Sequence, residues 1–101
     1  MSFREKDYLK RQLEEAARAV ARILGFHAAG RTDQARAELE KSARSLIGVG
    51  MDPLGRVDIA TAAGLLRSSA AVETYAQLLE AQAALDDDPA LLARAKAIRE
   101  T

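Results

Sequence analysis

The sequence predicts an all-α protein of five helices, and three observations carry that prediction. Aliphatic side chains recur at steps of three and four along most of the chain. Glycines, serines and Asp-Pro steps punctuate these runs where helices stop and start. Nowhere do β-branched and aromatic residues alternate over four or more positions, so no strand is expected.

The first helix runs from about Arg4 to Ala29 without proline. Leu9, Leu13, Ala16, Val20, Ile23 and His27 form its apolar row, with Ala17, Leu24 and Ala28 widening it to one side. The other face carries Lys6, Lys10, Arg11, Glu14, Glu15, Arg18 and Arg22. Gly30 stops this helix, because glycine takes positive φ without strain. Thr32 or Asp33 caps the second helix, whose inward residues are Ala35, Leu39, Ala43, Leu46 and Ile47. Arg36–Glu40 and Glu40–Arg44 pairs at i to i+4 spacing lie on its outer face. A two- or three-residue link makes residues 4–47 an antiparallel hairpin.

Residues 48–57 read as an irregular connection, opened by Gly48 and Gly50 and holding an Asp52-Pro53 cap step. A third helix over 57–67 turns Ile59, Ala62, Ala63 and Leu66 inward. Ser68 or Ser69 starts a fourth, over 69–85, with Val72, Tyr75, Ala76, Leu79 and Ala83 on one face. Asp86-Asp87-Asp88-Pro89 starts a fifth over 88–100, with Leu91, Leu92, Ala95 and Ile98 inward.

Length and composition limit what such a chain can do. Its 101 residues suit one domain, 1–101. Hydrophobic residues make up 49% of it, nearly half of them alanine, so close helix packing rather than bulky anchors is expected to stabilise it. Fifteen acids balance fifteen bases, which disfavours nucleic acid and anionic membranes as partners. There is no cysteine, so disulfides and thiolate metal sites are excluded and a reducing, cytoplasmic setting is expected. The opening Met1-Ser2-Phe3-Arg4-Glu5-Lys6-Asp7 is charged from its fourth residue, unlike a signal peptide. No apolar run approaches the ~20 residues of a membrane span.

The segment Phe26-x-x-x-Gly30-x-x-x-x-Ala35-x-x-x-Leu39 resembles half of a tetratricopeptide repeat. In that pattern an aromatic precedes the turn glycine, and a small residue lets the second helix approach closely. The large residue and glycine usual earlier in the repeat would fall on Ala19 and Ile23, where this chain departs from it. The resemblance implies a tetratricopeptide-like array of helical hairpins, the second pair within residues 70–100. The layout also resembles a small uncharacterised bacterial all-helical family. Lys6-Asp7-Tyr8-Leu9, Ala21 to Leu24 and Leu46-Ile47-Gly48 carry that likeness, which implies an architecture and no activity.

Each candidate site has a plainer structural reading. His27, the one histidine, could act as an acid-base group or pH switch, but it reads better as a helix-end histidine near the carbonyl terminus. Asp86, Asp87 and Asp88 lack the alternating spacing, mid-loop glycine and closing glutamate of a calcium loop, and read as a turn and cap. Lys6, Lys10, Arg11, Arg18 and Arg22 could meet phosphates. Glu5, Glu14 and Glu15 interrupt them, and no aromatic is interleaved for base stacking. They read as a solvated face with Lys10–Glu14, Arg11–Glu15 and Arg18–Glu14 pairs. Gly48-x-Gly50 lacks the rest of a phosphate loop, and Ser42, Ser45, Ser68 and Ser69 fall at caps or helix faces.

The first helix is the feature that suggests a function. At 1.5 Å per residue it reaches nearly ~40 Å, longer than any other helix of the chain. Its first third, with Phe3, Tyr8, Leu9 and Leu13, is therefore expected to overhang the bundle and present a partner surface. The simplest partner is a second copy in a two-fold dimer. The expected protein is a non-enzymatic protein-interaction module, self-associating through Tyr8, Leu9, Leu13, Val20 and Phe26. No catalytic residue, cofactor, metal or small-molecule ligand is expected; its partner is itself, another protein, or both, and not a membrane. Alternatives are a nucleic-acid-associated regulator using the basic face of the first helix, and a ligand-binding or enzymatic domain built around His27.

Overall fold

The structure, a computed structural model, describes the backbone of residues 2–101 and the side chains from Asp7 onward. Helices take up 84% of the chain, with no strand among the described residues. They follow in the order α1 (Ser2–Ala28), α2 (Thr32–Ile47), α3 (Met51–Gly55), α4 (Ile59–Leu66), α5 (Ser69–Asp86) and α6 (Pro89–Arg99).

Among the described residues that is six helices, not five. The extra one, α3, lies inside the stretch read as irregular. It starts two residues before the proline, with Gly50 at its N-cap, so Asp52 and Pro53 fall within the helix instead of opening it. Met51 and Leu54 are what the short turn buries. The Glu40 carboxylate accepts a hydrogen bond from Met51 N at 3.3 Å and lies where a Cβ on residue 50 would go. A side chain at position 50 would displace the Glu40 carboxylate from this place, an approach that the spacing of glycines alone did not reveal.

α1 and α2 form the antiparallel hairpin. Gly30 turns the chain with φ of 77°, and Arg31 N donates to Phe26 O at 2.8 Å, closing the end of α1. The N-cap of α2 is Arg31, without a side-chain cap bond, rather than Thr32 or Asp33. The Thr32 hydroxyl is engaged instead with His27 Nδ1 at 3.2 Å. Gly48 (φ of 76°) ends α2 in the left-handed conformation, its N–H donating to Arg44 O. Asp58 caps α4 through Thr61 N at 2.7 Å, Ser68 caps α5 through Ala71 N at 3.1 Å, and Asp88 caps α6 through Ala90 N at 3.0 Å.

The core is built around α5. It packs against α1, α2, α4 and α6, and buries Ala70, Ala71, Thr74, Tyr75, Ala76, Leu78, Leu79, Ala81, Ala83 and Leu85. These residues occupy most of the helix circumference, wider than the single face expected from Val72, Tyr75, Ala76, Leu79 and Ala83. Alanines at 70, 71, 76, 81 and 83 allow several helices to approach at once. Thr74, the buried polar residue of α5, is satisfied by its own helix, its Oγ1 donating to Ala70 O at 2.8 Å. On α6, Ala95 and Ile98 are buried and Leu91 half-buried, but Leu92 is 51% exposed rather than inward. No helix of the described residues is long and apolar enough to cross a membrane.

Arg94 ties the two halves of the C-terminal region together. Its guanidinium donates to Leu54 O and Val57 O, and its Nε donates to Tyr75 Oη at 3.0 Å. The same group lies 6.0 Å from the Tyr75 ring centroid, at the outer limit of a cation–π contact. One side chain on α6 thereby satisfies carbonyls at and beyond the end of α3 and the hydroxyl of a fully buried tyrosine.

Candidate functional site

α1 meets the rest of the molecule along Gln12, Ala16, Ala19, Ile23 and Phe26. Ala16, Ala19 and Ile23 are buried; Gln12 and Phe26 are half-buried. The expected row was placed differently. Ala17 and Ala28 are exposed and Leu24 is 39% exposed. Alanine on both flanks of the row makes the two sides alike in hydropathy, and only the positions of α2 and α5 choose between them.

The end of α2 marks where α1 leaves the bundle. Gln12 Nε2 donates to Leu46 O, in the last turn of α2, at 3.3 Å. Before that point every described side chain, Asp7 to Arg11, is exposed. Tyr8 is 67% exposed and Leu9 37%. Leu13 is half-buried, while Val20 and Phe26 are half-buried against the core. Phe3 and Lys6 lie outside the described side chains. Of the five expected contact residues, Tyr8, Leu9 and Leu13 are therefore gathered at the projecting end. Val20 and Phe26 serve packing as well.

A shallow hollow of about 210 Å³ lies beneath this end, lined by Tyr8, Arg11, Gln12, Glu15, Ser45 and Leu46. It leads into an open groove of about 530 Å³ between α1 and α2, where Arg18, Arg22 and Lys41 face Glu15 and Glu38. Arg22 donates through Nε and Nη2 to Glu38 Oε2, both at 3.2 Å, and Ser42 donates to the same oxygen at 3.3 Å. The Lys10–Glu14, Arg11–Glu15 and Arg18–Glu14 pairs are not formed among the described residues. The basic face of α1 thus spends one of its arginines on α2 and carries acids between the others.

The remaining candidates have structural work. His27 is half-buried beside Thr32, at the junction of α1 and α2. The aspartates divide three tasks: Asp86 pairs with Arg36, Asp87 turns the chain with φ of 50°, and Asp88 caps α6. Arg36 is thereby engaged with α5, and Glu40 with Met51 N, instead of the expected Arg36–Glu40 and Glu40–Arg44 pairs. No group of three or more His, Cys, Asp or Glu among the described residues is placed to hold a metal ion.

Two residues were missed in the sequence. Arg94 is one, and the signal was Tyr75: a buried tyrosine hydroxyl demands a partner. Arg99 is the other. It donates to both Glu73 oxygens (2.9 and 2.8 Å) and to both Glu80 oxygens (2.7 and 3.2 Å), pinning the end of α6 across two turns of α5. Hydrogen bonds from Arg99 hold the Glu73 carboxyl below the usual glutamate range, against the opposing effect of burial. The same bonds, from Glu73 first and Glu80 second, push the Arg99 guanidinium pKa upward. The Asp58 carboxyl is lowered by its hydrogen bonds with Thr61.

Compared with known proteins, the chain matches no family model, no curated protein and no solved structure.

Proposed function

We propose that this chain is a non-enzymatic protein-interaction module that associates with a second copy of itself through α1. The observation that carries this reading is the projecting end of α1, where Tyr8 and Leu9 stand open to solvent beyond the last turn of α2. Large apolar side chains grouped on a helix that outruns its neighbours lower the free energy when another surface covers them. Leu13 extends the patch toward the bundle. Beside it, Gln12 is already engaged within the fold.

The hairpin is read as tetratricopeptide-like. Its support is local: Gly30 turns the chain, Ala35 and Leu39 are buried, and Phe26 packs on the core. α5, which packs on four other helices, gives the array a central element.

Sedimentation velocity over a wide concentration range tests self-association. The expected result is a reversible dimer that Leu13→Asp shifts toward monomer while the helical circular dichroism is retained. A wild-type chain that stays monomeric at the highest concentration overturns the reading.

A further inference from the structure

Along α1, Leu13, Ala17, Val20 and Leu24 follow one another at steps of four, three and four, the spacing that keeps side chains on one seam of a paired helix. This seam lies beside the face that α1 turns to α2 and α5. Ala17 is exposed, Leu24 is 39% exposed, and Leu13 and Val20 are half-open. Leu9 and Ala28, both exposed, continue it at either end.

The seam fits a second copy of itself for two reasons. First, its sizes read the same in both directions: leucine at each end, two smaller residues between. Laid antiparallel about a two-fold axis, Leu13 meets Leu24 of the other copy and Ala17 meets Val20, so every layer is filled and none is overfull. Second, the small layer and the helix end decide the direction. Parallel pairing in register would set Ala17 against its own copy, an underfilled layer between the larger ones. The antiparallel register instead brings Lys10 to the carbonyl end of the other α1, near Ala28, where the helix dipole favours a cation.

From this self-complementarity we infer that two copies pair α1 against α1, antiparallel, along Leu13, Ala17, Val20 and Leu24. The inference rests on the self-association proposed above and names its face and direction. From Leu9 to Ala28 the seam spans about 29 Å at 1.5 Å per residue. One helix row of that length covers less than the ~800 Å² per partner of a standard stable interface. The dimer therefore exchanges with monomer.

The chain has no cysteine, so introduced thiols report cleanly. Lys10→Cys and Ala28→Cys are placed at exposed positions and leave the four seam residues intact. With a short thiol–thiol crosslinker, a mixture of the two variants is expected to give covalent dimers in large excess over either variant alone. Crosslinking of Lys10→Cys with itself in preference to the mixture overturns the direction and leaves self-association standing. A dimer seen by sedimentation but crosslinked in no combination overturns the seam. A monomer throughout overturns self-association as well. Independently, Leu24→Glu is expected to bring the weight-average mass down to that of the monomer, and Leu92→Glu, a more open leucine on α6, to leave it unchanged. Both variants should keep the helical circular dichroism of the parent. A Leu24→Glu variant that remains dimeric also overturns the proposal.

Discussion

α5 and α1 are both long, alanine-rich helices, yet α5 is enclosed and α1 is open along one side. α5 buries ten of its 18 residues. α1, with 27 residues, buries three among its described side chains, Ala16, Ala19 and Ile23. The difference follows from composition and position together: α1 carries ten charged residues in 27, α5 only three in 18. α5 is surrounded by α1, α2, α4 and α6, whereas α1 has α2 and α5 as its principal neighbours and outruns α2 at its N-terminal end. Stability should therefore be concentrated in α5, and substitution on the open side of α1 should act on association.

The largest contrast is expected between Tyr75 and Leu9. Tyr75→Ala empties a fully buried site and should cost about 3–5 kcal/mol, while Leu9→Ala, like other surface changes, should cost no more than about 0.5 kcal/mol. Urea denaturation below the dimer concentration measures both, and equal losses would break the contrast. Next comes Arg94→Met, which leaves the Leu54 and Val57 carbonyls and the Tyr75 hydroxyl without this partner. A cost of about 1–3 kcal/mol is expected. Arg94→Lys should recover only part of it, since an ammonium lacks the planar fork.

A smaller effect is expected from Ser68→Ala, which removes the cap of α5 at about 1 kcal/mol. The chemical denaturation midpoint should fall with no change in the dimer mass. The smallest concerns Glu73. Because hydrogen bonds to Arg99 lower its carboxyl pKa in the folded chain, its contribution is present above the unfolded value, about 4.3, and is lost as pH falls through the folded value. Both partners are about one-third exposed, so solvent screening limits this to about 1 kcal/mol or less. Glu73→Gln should flatten the loss of stability between about pH 4.3 and more acid conditions, read from denaturation midpoints. An unchanged slope would show that the bridge carries no net stability.

Helix existence was legible wherever punctuation and period agreed. Gly30, Gly48, Ser68 and Asp88 each do what their residue type suggests, because capping and left-handed turns are decided within a few residues. α3 was not legible. Five residues are too few to show a period, and the partner of the first amide of the turn is Glu40, ten residues before Gly50. Of the candidate surface, Tyr8, Leu9 and Leu13 could be picked out by comparing helix lengths alone. The seam through Ala17 and Leu24 could not, because its openness depends on where α5 lies.

Periodicity and local chemistry, which act over one or two turns, determined that this chain is helical, where its major turns fall and that α1 is long. Tertiary structure decided which side of α1 is covered, that α5 is the centre, and that Arg94 and Arg99 pin α6 in place. The reason is that alanine is equally at home in a close helix contact and in water. A helix rich in alanine shows its inner face only when its neighbours are in place.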